Sequence, residues 1–345
     1  MSTRWLLAAV ALAMALAAPP AQAEGTAPLR LLGRTAVPGF EGDFDHFGVD
    51  LQGRRLFLAG EEQGTLEVFD LISGKHLRTV KGLGEPHAVH YQAASGRIVV
   101  SNSGAGGSQV LDGKTYAVLS SLALKPGADV MSHDASTQQL WLVTGGKNAE
   151  PKMAHTFVAR VDAATGRVLG ETEFDTDFTE AIAFEQKGTR AFVNVSGRSE
   201  IAVLDKRSGQ VLATWPVAEG QHNAPMALDE ANQRLFVVTR KPFKLVVINT
   251  TSGASVASFD APQRTNELIY DRDNGRLYLT GDDHIAVFAQ RSADVYEEIA
   301  RVASDKGAKT AILIPELNRL FVAVAGKGAT KAGVLRYEVL PASAR

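Results

Sequence analysis

Residues 224–260 read APMALDEANQRLFVVTRKPFKLVVINTTSGASVASFD, four short apolar runs separated by turn residues. Met226–Leu228 is the first run, Leu235–Thr239 the second, Lys244–Asn249 the third and Ser255–Phe259 the fourth. β-Branched and aromatic runs bounded by Asp, Asn, Ser and Gly read as strands joined by hairpins. A single four-stranded sheet of this kind cannot bury both faces, so it needs copies of itself on either side.

The copies are found by aligning on the second run. They are Arg55–Leu58, Arg97–Val100, Gln139–Leu142, Arg190–Val193, Arg234–Val237, Arg276–Leu279 and Arg319–Val322, seven in all. The first runs begin near Asp45, His87, Asp129, Glu180, Ala224, Asn266 and Lys309, with separations of 42, 42, 51, 44, 42 and 43 residues. A four-strand repeat of about 40–45 residues is the period of a propeller blade. The reading is therefore an all-β, seven-bladed β-propeller of four-stranded antiparallel blades. The long interval belongs to the third copy, which carries the insertion Gly145–Thr156. The last copy lacks a fourth strand, and Leu29–Val37 precedes the first copy without a partner. Pairing the two closes the ring and leaves no open sheet edge.

Five hairpins repeat an Asp/Asn-to-Gly turn: Asp70–Gly74, Asp162–Gly166, Asp205–Gly209, Asn249–Gly253 and a shorter Asp112-Gly113. Carboxylates that recur this regularly cap turns.

At the N-terminus Arg4 precedes the apolar run Trp5–Ala18, then Pro19-Pro20 and Ala21-Gln22-Ala23. A basic start, a short apolar segment and a small-x-small site form a secretory signal, with cleavage expected after Ala23. The domain organisation is then 1–23 signal peptide and 24–345 a single propeller, periplasmic or secreted. No later segment is long and apolar enough to span a membrane. The chain has no cysteine, which excludes disulfides, thiol catalysis, cysteine-based metal sites and covalent c-type haem. The formal charge of −2 becomes −3 once Arg4 is removed, so no global attraction steers nucleic acid or anionic lipid to the surface.

The copies Phe192–Val195 with Ile201–Asp205, and Leu235–Thr239 with Leu245–Asn249, resemble the YVTN-type repeat. From Leu29 to Leu340 the chain resembles the YncE-like secreted seven-bladed propellers, as a divergent member in which the Tyr and Asn of the repeat are mostly replaced. The resemblance implies the fold and carries no activity over to particular residues.

In such a blade, the loops before the first strand and between the second and third strands share one face. That set is irregular in length and polar here, and function sits on variable loops held by a regular scaffold. First strands line the central channel, so their starts are the candidate ligand-binding positions: Asp45, His46, His87, Asp129, Glu180, Asn223, Glu267 and Lys309. Carboxylate and imidazole together suit a divalent metal such as calcium, with His46, His87, Asp129 and Glu180 as its candidate ligands. Strand alternation implies that only one of Asp45 and His46 faces the channel, and places His90 in the core, opposite His87. Trp141 and Trp215 read as packing residues. There is no phosphate-binding loop, no Gly-x-Ser-x-Gly elbow and no His-Glu-x-x-His pair. Ser101–Gly107 reads as a flexible, glycine-rich hairpin loop.

The leading expectation is an exported, monomeric binding or scaffold propeller without catalysis, taking a small molecule or a protein on its irregular face. The alternatives are a metal-dependent, lactonase-like hydrolase at the channel mouth, a redox propeller, and a nucleic-acid-binding propeller, the last disfavoured by charge.

Overall fold

A computed structural model describes residues 27–342. The signal peptide expected at 1–23 lies outside the described residues. Seven four-stranded antiparallel sheets are formed, each with strands in sequence order except the one that closes the ring. Blades one to six run from Phe47–Asp50 through His76–Lys81, Pro86–Gln92 through Val118–Ser121, Met131–Asp134 through Val168–Phe174, Ile182–Phe184 through Val211–Pro216, Met226–Asp229 through Ser255–Asp260, and Glu267–Asp271 through Tyr296–Ala303. Blade seven takes three strands from the C-terminal end, beginning at Ala308–Ile314, and its outer strand from Leu29–Ala36. That strand pairs antiparallel with Gly333–Val339, and the Leu340 amide donates to the Pro28 carbonyl at 3.0 Å.

The burial pattern follows from blade stacking. Second and third strands are covered on both faces and are almost wholly buried, as in Arg55–Gly60 and Thr65–Asp70. This is why they read as unbroken apolar runs. Outer strands such as Ser255–Asp260 expose alternate residues. Trp141 of blade three is buried and packs edge-on against Phe184 of blade four, ring centres 5.3 Å apart. Trp215 packs on Phe192 of its own blade at 5.8 Å.

The Asp/Asn turns are caps. Asp70 Oδ1 accepts from the Ser73 amide at 2.7 Å, and Gly74 takes φ 71°. Blade two uses the same turn at full length, with Tyr116 at φ 64° in place of the glycine, so it is not shorter as its sequence suggests.

Four of the six arginines that mark the repeat clamp one blade to the next. Arg55 donates to Gly113 O of blade two, Arg190 to Thr250 O of blade five at 2.5 Å, Arg234 to Asp294 of blade six at 2.7 Å, and Arg276 to Leu340 O beside blade seven at 2.6 Å. Gln92, Arg160 and Arg336 make the equivalent links at the other junctions, to Ala163 O, Arg207 O and Ser73 O. All seven junctions are tied this way, on the face of the regular turns.

Candidate functional site

The site is built on the inner ends of blades one to five, where backbone pairing holds neighbouring strands together. The His46 amide donates to the His87 carbonyl at 2.8 Å, joining blade one to blade two. Gly48 permits this approach, since a Cβ there would lie 2.6 Å from Val89 O. Regular pairing in blade one starts only at Phe47, so Asp45 and His46 precede the strand and alternation does not govern them. Both line the channel mouth, contrary to the expectation that only one would.

Three side chains from successive blades meet there. His87 Nδ1 lies 2.8 Å from Asp45 Oδ2 and 3.5 Å from Asp129 Oδ1, and one ligand-capable atom of each residue falls within 4.8 Å of the others. Asn148, from the blade-three insertion, donates to Asp129 at 2.6 Å. Glu61, Glu85 and His87 form a second such group. These residues border a cavity of about 830 Å³, together with Lys147 and Arg240.

The remaining first-strand residues have other partners. His46 Nδ1 lies 3.3 Å from Glu267 across the channel. Glu180 faces Arg240 at 3.6 Å, and Arg240 donates to Asn266 at 2.9 Å. Lys309 lies 3.5 Å from Asp43 and borders the cavity. Of the four expected metal ligands, His87 and Asp129 are therefore adjacent, with Asp45 completing their group, while His46 and Glu180 turn to other neighbours. Asn223 is fully buried and links blades four and five, donating to Asn194 Oδ1 at 2.7 Å and Glu200 O at 3.0 Å.

The electrostatics follow from crowding carboxylates in a half-buried mouth. Burial disfavours the charged form of Asp45, but the charge of His46 and the hydrogen bond to His87 outweigh it and hold the carboxyl at about 2. Burial likewise opposes the imidazolium forms, yet Asp45 and Glu267 raise His46 to about 10, and Asp129 and Asp45 raise His87 to about 9. Glu61 is pushed up to about 7 by burial and by Asp45, and Glu180 to about 7 by burial and by Asp129.

His90 is not in the core. A register shift between Pro86 and Val89 breaks the simple alternation of that strand. The half-buried His90 ring packs on His133 of blade three, 4.5 Å between centres. Burial, and then His133, lower it to about 4.

Sequence reasoning left Glu85, Ser103, Lys147 and Asn148 out of the site. Their signal was the polar, irregular loops that carry them, but not the direction in which each loop folds. Ser103 opens the glycine-rich loop of blade two, and its Oγ lies 2.8 Å from His87 Nε2. Lys147 belongs to the insertion and sits over the Phe178 ring at 3.1 Å. The insertion itself is packed, with Gly146 and Ala149 buried and the Lys147 amide bound to Asp177 O at 2.9 Å.

Fold and site define a seven-bladed β-propeller with a charged channel mouth. No family model matches the chain. Two curated proteins are similar to it, both described as the uncharacterised protein YncE. The Salmonella typhimurium protein is 24% identical over 124 residues, 35% of this chain and 34% of that protein. The Salmonella typhi protein is 26% identical over 128 residues, again 35% and 34%. The chain thus spans about a third of the length of the curated relatives it matches. In sequence it is similar to YncE over that third, and it is a β-propeller throughout the described residues. A chain in the crystal structure of a mitotic checkpoint complex superposes with a TM-score of 0.74, covering 98% of this chain and 99% of that one, at 14% identity. That likeness carries the fold alone. Among the described residues, no helix is long and apolar enough to cross a membrane.

Proposed function

We propose that this protein is an exported binding propeller that takes a small polar ligand at its channel mouth. One observation carries the reading: Asp45, His87 and Asp129, from three successive blades, place one ligand-capable atom each within 4.8 Å of one another beside a cavity of about 830 Å³. Ring closure and the blade clamps do not use these groups. Glu61 and Glu180 resist ionisation in the same mouth. Ionisable groups held away from their ordinary pKa values in a cleft are candidates for a functional site. A cationic centre on the ligand suits the carboxylates of blades one to three, and an anionic group suits Lys147 and Arg240.

A second reading, a divalent cation, is favoured by the spacing of the Asp45, His87 and Asp129 donors. An imidazole in the set suits zinc or manganese better than calcium, which prefers oxygen ligands. The ion would replace the His87 proton, so its affinity would rise with pH. A metal-dependent hydrolase is the catalytic extension of this reading.

Native mass spectrometry of protein purified without chelator tests both. The expected result is a bound ion or small molecule that is lost in Asp129→Ala. Absence of any bound mass, with melting unchanged by Zn²⁺, Mn²⁺, Ca²⁺ or Mg²⁺, would turn the search to protein partners of the irregular face. Export rests on the N-terminal residues, and a secreted form beginning at Glu24, seen by intact mass, checks it.

A further inference from the structure

The hydrogen bonds around His87 continue beyond the carboxylates. Its Nδ1 is 2.8 Å from Asp45 Oδ2, and its Nε2 is 2.8 Å from Ser103 Oγ. Asp45, His87 and Ser103 are 8%, 5% and 7% exposed, and all three border the channel-mouth cavity. In the neutral form of His87, the acceptor Asp45 places the single imidazole proton on Nδ1 and leaves the Nε2 lone pair to receive the Ser103 hydroxyl proton, whereas the imidazolium donates from Nε2 to Ser103.

Ser103 is held in position by its surroundings. It follows the strand Arg97–Asn102 directly, and its amide donates to Glu85 O at 3.1 Å. Asn102 is buried, and its Oδ1 accepts from the Glu85 amide at 2.8 Å and the Gly104 amide at 3.0 Å, while its Nδ2 donates to Leu83 O. The glycine-rich loop is pinned where the nucleophile would need to be fixed. No nucleophile elbow precedes Ser103, and a triad is recognised by geometry and not by sequence position.

We propose that Ser103, His87 and Asp45 form a nucleophilic triad that hydrolyses a small polar ester at the channel mouth. This rests on the reading that the mouth admits a polar ligand. Ser103 Oγ bonds to the acyl carbon as its proton passes to His87 Nε2. The acyl C–O bond then breaks, and the departing alkoxide takes that proton to leave as the alcohol. Water attacks the acyl-serine and gives a proton to Nε2. The Ser103 Oγ–acyl bond breaks, Ser103 recovers the proton, and the carboxylic acid leaves. One water is consumed per ester. Lys147 and the loop residue Ala105 border the same cavity and are the candidate donors to the carbonyl oxygen. A metal ion coordinated by Nδ1 would place the proton on Nε2 and remove the base, so this activity and a metal at that nitrogen are mutually exclusive.

The test is covalent labelling of the full folded chain with a fluorophosphonate at pH 7.5 and 9.5. The higher value is included because the neighbouring carboxylates hold the His87 proton. The reagent loses fluoride and leaves a phosphonyl group on an activated serine. The expected result is a single adduct mapped to Ser103, absent in Ser103→Ala and slowed by about a hundredfold or more in His87→Gln. Saturating Zn²⁺ either leaves labelling unchanged or suppresses it. Failure to label folded wild-type protein, labelling that persists in Ser103→Ala, or labelling that requires added metal would overturn the triad. Ser103→Ala removes one oxygen, and unchanged melting of that variant keeps the comparison valid. If Ser103 is not labelled but native mass spectrometry still finds a ligand lost in Asp129→Ala, the triad alone falls and the binding site stands.

Discussion

Asp45 and His87 are 42 residues apart and belong to different blades, yet their side chains are hydrogen-bonded at 2.8 Å. The contact is prepared by the backbone, since the neighbouring His46 amide donates to the His87 carbonyl. Two strand starts are thus fixed to each other before either side chain is placed. Blade packing and the channel-mouth chemistry depend on the same junction.

Stability should peak near about pH 4–5 and fall as pH rises above it. His46 and His87, raised to about 10 and about 9 from an ordinary 6.5, contribute stability that is full below 6.5 and lost as pH rises through those values. Glu61 and Glu180, raised to about 7 from 4.5, add a loss between those two values. His90, lowered to about 4, acts in the opposite sense, and its contribution is lost as pH falls from 6.5 towards 4. Calorimetric melting from pH 4 to 9.5 checks the profile. Glu180→Gln should raise melting at pH 7.5 and reduce the loss between pH 5 and 7.5. A profile still rising at pH 9 would contradict these signs.

Removing residues 28–38 deletes the outer strand of blade seven and exposes the edge at Gly333–Val339. Cooperative unfolding should be lost and aggregation should rise. A truncated chain that melts like the intact one would contradict strand-mediated closure.

Arg276 is buried and donates to Leu340 O at 2.6 Å, tying blade six to the end of blade seven. Arg276→Ala leaves that carbonyl without its charged donor and should cost about 1–3 kcal/mol in urea unfolding. Arg272→Ala, at an exposed turn, should stay within about 0.5 kcal/mol. Equal effects would mean that the clamp contributes nothing measurable.

Single-stranded DNA should bind weakly, and not at all by about 150–200 mM salt. The net charge is −2, and of the basic residues Arg240, Lys241, Lys244, Lys327 and Lys331 on the irregular face three are paired with carboxylates. Arg240 faces Glu180, Lys244 is 2.7 Å from Asp260, and Lys327 is 2.7 Å from Asp43. Submicromolar binding at that salt, lost on changing Arg240 and Lys241 to Ala, would overturn this expectation.

The blades were legible because the twice-covered middle strands must be apolar throughout, so that Arg55–Leu58 and its six relatives align on their own. The closing strand was legible because Leu29–Val37 had no other partner. The site was legible only to the level of a strand start. Asn223 occupies such a position, but the chain turns it inward onto Asn194. Asp45 and His46 escape alternation because pairing begins one residue later. Ser103 and Lys147 reach the mouth from loops whose direction depends on contacts with neighbouring strands, at Glu85 and Asp177. The repeated arginine was visible as an alignment anchor, but its acceptor lies on the next blade and leaves no local pattern.

The closing pair has a mechanical consequence. Leu29 sits opposite Val339 and Ala36 opposite Gly333, so the two strand ends that lead out of the ring lie side by side. A load drawing those ends apart acts on the Leu29–Val339 contact first and breaks the ladder one rung at a time, as a zipper opens, instead of shearing all rungs together. Tension applied through the flanking residues would therefore peel one strand from blade seven at low force while the other six blades keep all their strands.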